Sequence, residues 1–221
     1  MSWGRRLTLA IAAVVLCFYG GAIFSFVLLR WIDPPTTSVQ VERRLESWFQ
    51  HAPYQKRCSF VPLYRISPAF QHAVISAEDA RFYNHHGFDW KQVQLAAAED
   101  AEGKRLRGAS TIDQQLVKNL FLTTSRSFVR KIIEASLVPL AEVILGKRRI
   151  LELYLNVVEW GPGVYGAEAA ASYWYHLPAS RIGREEGARL AAILPAPRRR
   201  RPANMGAYAA IIVDRMRQAG W

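Results

Sequence analysis

Glu78 and Asp79 stand side by side, and Phe82, His85, His86 and Gly87 follow within nine positions. Glu78 lies four residues after Val74 and four before Phe82, so on a helix it borders an apolar stripe. A carboxylate against apolar neighbours has its pKa pushed up and can serve as a base or an acid. The ordinary alternative is an exposed carboxylate at a helix end. A second cluster runs from Gly108 to Asn119. Ser110 and Asp113 have the form of a capping box, and a capped helix start offers backbone N–H groups to an anion. Ser110, Gln114 and Lys118 fall on one polar stripe beside Gln115, with Ile112, Leu116 and Leu120 opposite. An amphipathic helix with a wet face reads the same way. In a third cluster Arg126, Arg130 and Glu134 repeat every four residues beside Lys131. Arginine forks match phosphate oxygens, so this is a candidate diphosphate site with Glu134 orienting the cations. A surface ion pair worth about 0.3–0.5 kcal/mol is the alternative.

These side chains need helices to hold them. Ser67 is a good N-cap and Pro68 a good first helical residue. Phe70, Ala73, Val74, Ala77 and Arg81 follow at helical spacing. The stretch 103–108 reads as a basic, flexible loop before the second cluster. In the third, Val129, Ile132, Ile133, Ser136 and Leu137 are expected on a buried face, and Pro139 should kink or end the helix. Gly146 closes that segment, and Lys147–Val158 forms another helix. Gly161, Gly163 and Gly166 have GxGxxG spacing but follow a helix, which excludes a dinucleotide site and leaves a turn into the Ala-rich helix 167–175. Further helices are expected at 41–49, 185–194 and 205–217, an extended segment at 59–66, and no convincing strands. Arg198–Arg201 reads as a solvated basic loop.

No charged residue occurs between Leu7 and Leu29. Such a run exceeds the roughly 20 residues a bilayer core requires. It ends in Val27-Leu28-Leu29-Arg30, without a small-x-small cleavage site, which favours a retained anchor over a signal peptide. Arg5 and Arg6 place the N-terminus in the cytoplasm and the domain across the membrane. The chain has 221 residues and a formal charge of +11, so residues 1–6, an anchor at 7–29, a linker and membrane-proximal segment at 30–48 and one domain at 49–221 account for it. Without Arg5, Arg6 and Arg30 the domain keeps 26 basic residues against 18 acidic ones. On the far side of a membrane this balance excludes nucleic acid and suits anionic lipid or a phosphorylated substrate. Cys17 lies in the anchor and Cys58 outside it, so no disulfide framework forms.

The clusters, in this order behind an anchor, resemble the peptidoglycan glycosyltransferases of family 51. The E-D-x-x-F-x-x-H-x-G motif is matched by Glu78, Asp79, Phe82, His85 and Gly87. G-x-S-T-[IL]-[TS]-Q-Q is matched by Gly108, Ser110, Thr111, Ile112, Gln114 and Gln115, with Asp113 replacing the usual hydroxyl residue. R-K-x-x-E is Arg130, Lys131 and Glu134, and I-L-E-x-Y-L-N is Ile150 to Asn156. The resemblance implies a mainly α, lysozyme-like two-lobed domain at the outer face of a bacterial inner membrane, polymerising lipid II. Glu78 would be the base and Glu134 the second carboxylate. Lys118 and Arg126 would hold the diphosphate, with Arg130 and Lys131 nearby, while Ser110, Gln114 and Gln115 line the donor cleft. Asp79, Phe82, His85 and Gly87 would support the site. No cofactor is required, though a divalent cation, Mg or Mn, at Glu134 is admitted. Partners would be lipid II, the lipid-linked glycan, the membrane and other cell-wall synthesis or division proteins. A lytic muramidase and an inactive anchored scaffold are the alternatives. No S-x-x-K occurs, so no transpeptidase is expected.

Overall fold

The computed structural model describes residues 2–101 and 110–221; Gly108 and the expected basic loop at 103–107 lie outside them. Nine α-helices are present among the described residues: α1 Trp3–Leu29, α2 Ser38–Phe49, α3 Pro68–Glu78, α4 Trp90–Ala101, α5 Ile112–Phe121, α6 Phe128–Val157, α7 Ala167–Tyr175, α8 Arg184–Ile193 and α9 Gly206–Gln218. Seven of them form two packed groups. In one, α3, α8 and α9 pack together; in the other, α5 lies on α6, with α2 against α5 and α1 against α6.

Three strands missed by the sequence reading also form: β1 Arg57–Cys58, β2 Glu159–Gly161 and β3 Val164–Tyr165. β3 is central, parallel to β1 and antiparallel to β2. At two or three residues each they are too short to show alternation. The GxGxxG stretch is the β2–β3 hairpin running into α7.

α6 passes straight through Pro139, contrary to expectation. The proline lies on an exposed side of the helix, and the break comes at Gly146, as expected, where φ is +72° and ψ 160°, a conformation glycine adopts at little cost. The expected buried face of α6 is also corrected. Leu137 is buried and Ile133 partly so, but Val129 and Ile132 are 65% and 54% exposed, beside Phe128 and Val143. α1, long and apolar enough to cross a membrane, packs its C-terminal half on α6 and leaves Val129 and Ile132 uncovered. Phe26 is fully buried, Tyr19 Oη and Ser136 Oγ are 2.6 Å apart, and Arg30 donates to the Ile144 carbonyl at 2.8 Å.

The expected linker is folded in part. Thr37 caps α2 by accepting from Gln40 N. Ser38 donates to the Leu120 carbonyl at 3.0 Å, and Glu42 accepts from Thr124 N and Oγ1, each at 2.8 Å. Arg43 reaches buried Glu159 at 3.2 Å. Thus α2 is a layer of the domain.

The I-L-E-x-Y-L-N residues clamp the segment entering α3. Fully buried Asn156 accepts from Val61 N and donates to Val61 O, both at 2.9 Å. Glu152 accepts from Leu63 N at 2.7 Å. An Asn156→Ala change strands the Val61 N–H and carbonyl without partners and should cost about 2–4 kcal/mol. Thermal unfolding of the detergent-solubilised chain should show a clear fall in midpoint.

Candidate active site

Glu78 is the last residue of α3. Ser67 accepts from Phe70 N at 3.1 Å and Pro68 opens the helix, as expected. Asp79 leaves the helical region at φ −160°, ψ 71°, so Arg81 falls beyond the stripe that Phe70, Ala73 and Val74 bury. Glu78 is half-buried and accepts from Gln115 Nε2 at 2.7 Å. Fully buried Tyr154 donates its hydroxyl to Gln115 Oε1 at 2.9 Å, which fixes the amide with its N–H toward Glu78. Burial pushes the Glu78 carboxyl above the usual range. The Gln115 bond, Lys118 and Arg200 pull it down, and the Asp79 charge adds to the rise.

Asp79 ties three segments together. Its two oxygens each lie 3.0 Å from His85 Nε2, and Oδ2 also accepts from Ile112 N, in the first turn of α5, at 3.0 Å. The cap of that helix is Thr111, a correction to the expected Ser110–Asp113 box. Thr111 Oγ1 accepts from Gln114 N at 3.2 Å, and Gln114 Oε1 accepts from Thr111 N at 3.0 Å. Buried Gln114 is therefore committed to the cap, and α5 has no broad wet face. Ser110 is exposed at its entry. Asp113 is freed from capping and fully buried, ion-paired to Lys147.

Gly87 has φ +82°, and a Cβ there would meet Val138 Cγ1 at 2.6 Å. Its carbonyl accepts from Thr111 Oγ1 at 2.7 Å. Phe82 is fully buried under the Lys147 ammonium, 4.5 Å above its ring. Asp79, Phe82, His85 and Gly87 thus brace the end of α3 against the start of α5.

The cations gather beyond α5. Glu134 is 2% exposed; one oxygen accepts from Arg130 at 2.5 Å and the other from Lys131. That arrangement does not fit a divalent metal ion, since both oxygens already face cationic groups. Lys118, a half-buried residue of α5, lies in the fields of Glu134, Arg130, Glu78 and Lys131, and burial lowers its pKa. It is the side chain that links the Glu78 end of the site to the Arg130–Glu134 end. Arg126 is exposed in the segment before α6. Asp79, His85 and Asp113 also converge within 4.8 Å, with the Lys147 ammonium 3.0 Å from both Asp113 oxygens.

A family model described as transglycosylase matches residues 44–217. The chain belongs to the transglycosylase family. The transglycosylase is 45% identical over 221 residues to the biosynthetic peptidoglycan transglycosylase of Shewanella oneidensis, covering 98% of this chain and 94% of that one. It is 43% identical to the protein of the same name from Pseudomonas entomophila, covering 98% and 88%. For the one from Pseudomonas aeruginosa the identity is 40%, covering 98% and 94%. The lysozyme-like, mainly helical fold and the glycosyltransferase class follow from this membership.

Two residues that sequence reading left out of the site act on Glu78. Tyr154 was legible only as part of its motif, because its reach to Gln115 crosses between helices. Arg200, in the expected solvated loop, donates to the Ala192 carbonyl at 2.9 Å and favours the ionised form of Glu78. Its neighbour Arg198 pairs with Glu46 of α2 at 3.0 Å, so that loop is docked at both residues.

Replacing Gln115 with alanine removes a hydrogen bond to the charged form of Glu78 and raises its pKa further. If Glu78 reacts as the carboxylate, the acid limb of the pH–rate profile should move to higher pH. Turnover measured on that limb should fall several-fold while the alkaline side changes less.

Proposed function

We propose that this transglycosylase extends peptidoglycan glycan chains from lipid II, with Glu78 as general base. The juxtaposition of a buried-edge carboxylate with Lys118 and the Arg130–Lys131–Glu134 cluster carries this reading. Glu78 takes the proton from the 4-hydroxyl of the lipid II GlcNAc. That oxygen forms a bond to C1 of the MurNAc ending the growing chain, and the bond from C1 to the diphosphate oxygen breaks with inversion. Undecaprenyl diphosphate departs with the bonding pair. Lys118, Arg126, Arg130 and Lys131 stabilise its charge, and Glu134 holds two of them in place without touching the sugar. A sugar leaving group would require a general acid, whereas a diphosphate requires cations. The cationic cluster therefore favours transfer over muramidase action.

Exposed Ser110 and half-buried Gln115 would meet the donor. The apolar α1 serves as a single-pass anchor in the inner membrane with its N-terminus in the cytoplasm. The exposed Val129 and Ile132 beside it suit a domain resting on lipid, where polyprenyl-linked substrates reside. Other cell-wall synthesis or division proteins would work beside it there.

Glu78→Gln should lower lipid II polymerisation by about 10²–10⁴-fold with the fold intact. Near-wild-type polymerisation by that variant removes Glu78 from the role of base. Lys118→Ala should lower kcat/KM for the lipid-linked donor by about 10²-fold; unchanged donor kinetics would refute the diphosphate contact.

A further inference from the structure

Asp113 stands where the family pattern has a hydroxyl residue, and it is fully buried. It belongs to a cluster built from four segments. Lys147, the first residue after the Gly146 break in α6, lies 3.0 Å from both Asp113 oxygens, 3.1 Å from Glu142 Oε2 and 3.5 Å from His85 Nδ1. His85 then contacts both oxygens of Asp79, the residue after Glu78. Exposed His86 approaches Glu142 from outside at 3.7 Å, and the Phe82 ring closes the remaining side under Lys147. Among the described residues, the titratable and charged groups facing Asp113 are Asp79 at the end of α3, His85 and His86 in the following loop, and Glu142 and Lys147 on the two parts of α6.

Counting charge decides the state of this cluster. Asp79 faces His85 Nε2 and accepts from an α5 backbone N–H, outside the reach of Glu142. That leaves Asp113 and Glu142, two carboxyls, facing one ammonium. If both ionise, one negative charge stays uncompensated away from water, at a cost of several kcal/mol. Two adjacent carboxyls escape that cost by sharing a proton.

We propose that Asp113 is a positioning residue for glycosyl transfer, sharing one proton with Glu142 and so seating Lys147 against His85 and Asp79. The chain of contacts runs Glu142, Asp113, Lys147, His85, Asp79, and ends one peptide from the base. Burial first, and then Glu142, push the Asp113 carboxyl up to about 8, while Glu142 is held below its ordinary range, and the proton belongs to the pair. Losing the proton leaves two carboxylates competing for Lys147. The ammonium is then drawn from His85, the brace on Asp79 loosens, and transfer slows on the alkaline side. An asparagine at 113 keeps an N–H toward Glu142 and cannot titrate.

The inference rests on the transfer reading, and the experiment separates the two. The full-length chain in detergent is assayed for lipid II polymerisation across pH as the wild type, Asp113→Asn and Asp113→Ala. Asp113→Ala should lower kcat about tenfold or more, as a displaced base does, with KM changed less than about twofold. Asp113→Asn should recover most of that kcat and lose the alkaline limb near pH 8. Infrared difference spectra without substrate should show a protonated-carboxyl band that disappears through the same pH range and is missing from Asp113→Asn. A wild type that polymerises, with an Asn variant that keeps the alkaline limb or an Ala variant of unchanged kcat, overturns the positioning role. A band that survives Asp113→Asn, or never appears, overturns the shared proton. A wild type inert towards lipid II sinks the transfer reading and the positioning role with it.

Discussion

The site depends on one carboxylate that does no chemistry. Asp79 ends α3 and accepts hydrogen bonds from the first turn of α5 and from His85. A side chain that leaves the helix at this point, instead of continuing it, makes the end of α3 and the start of α5 one rigid unit. Glu78 on one helix and Gln115 on the other are thereby held at 2.7 Å. A negative charge beside the helix N-terminus is favourable in its own right. The same turn demands a glycine at 87, because Val138 occupies the space where a Cβ would sit. Phe82, His85 and Gly87 are thus consequences of where Asp79 must point.

The cationic half is organised on a different principle. Arg130 and Lys131 lie within one turn of Glu134, and the buried carboxylate accepts from both. One negative charge between two positive ones leaves the cluster cationic, and Lys118 adds to it from α5. Such a site is prepared for an anion before any substrate arrives. Pre-set charge acts in the transition state without reorganisation at the moment of reaction. Glu134 therefore holds its neighbours, and in the proposed reaction Glu78 accepts the proton.

The membrane side follows from α1 and α6 together. Phe26 is buried, Tyr19 meets Ser136, and Arg30 caps a carbonyl of α6 just before the Gly146 break. The anchor is thus an extension of the domain's own packing. The break it approaches is also where Lys147 enters the cluster around Asp113, so the membrane helix and the brace beneath the base meet on the same element.

Much of this was legible along the chain because it depends on local periodicity. The Ser67 cap, the apolar stripe of α3, the helix boundaries of α8 and α9 and the adjacency of Arg130, Lys131 and Glu134 are properties of neighbours within a few residues. The uncharged run from Leu7 to Leu29 likewise declares itself by length. What depends on distant segments meeting was not legible. Gln114 and Gln115 are adjacent amides, yet one caps its own helix and the other crosses to Glu78, and only the placement of α3 and Tyr154 separates them. Thr111 displaced Ser110 as the cap because its hydroxyl also reaches the Gly87 carbonyl. Val129 and Ile132 carried a helical apolar period, but period alone does not say whether protein or lipid covers it. Asp113 looked like a capping residue until Lys147, brought in by the turn at Gly146, gave it a buried partner. Sequence determined which residues could carry charge, bend or pack. Tertiary structure decided which charge faced which, because burial and electrostatic pairing depend on distances that sequence separation does not record.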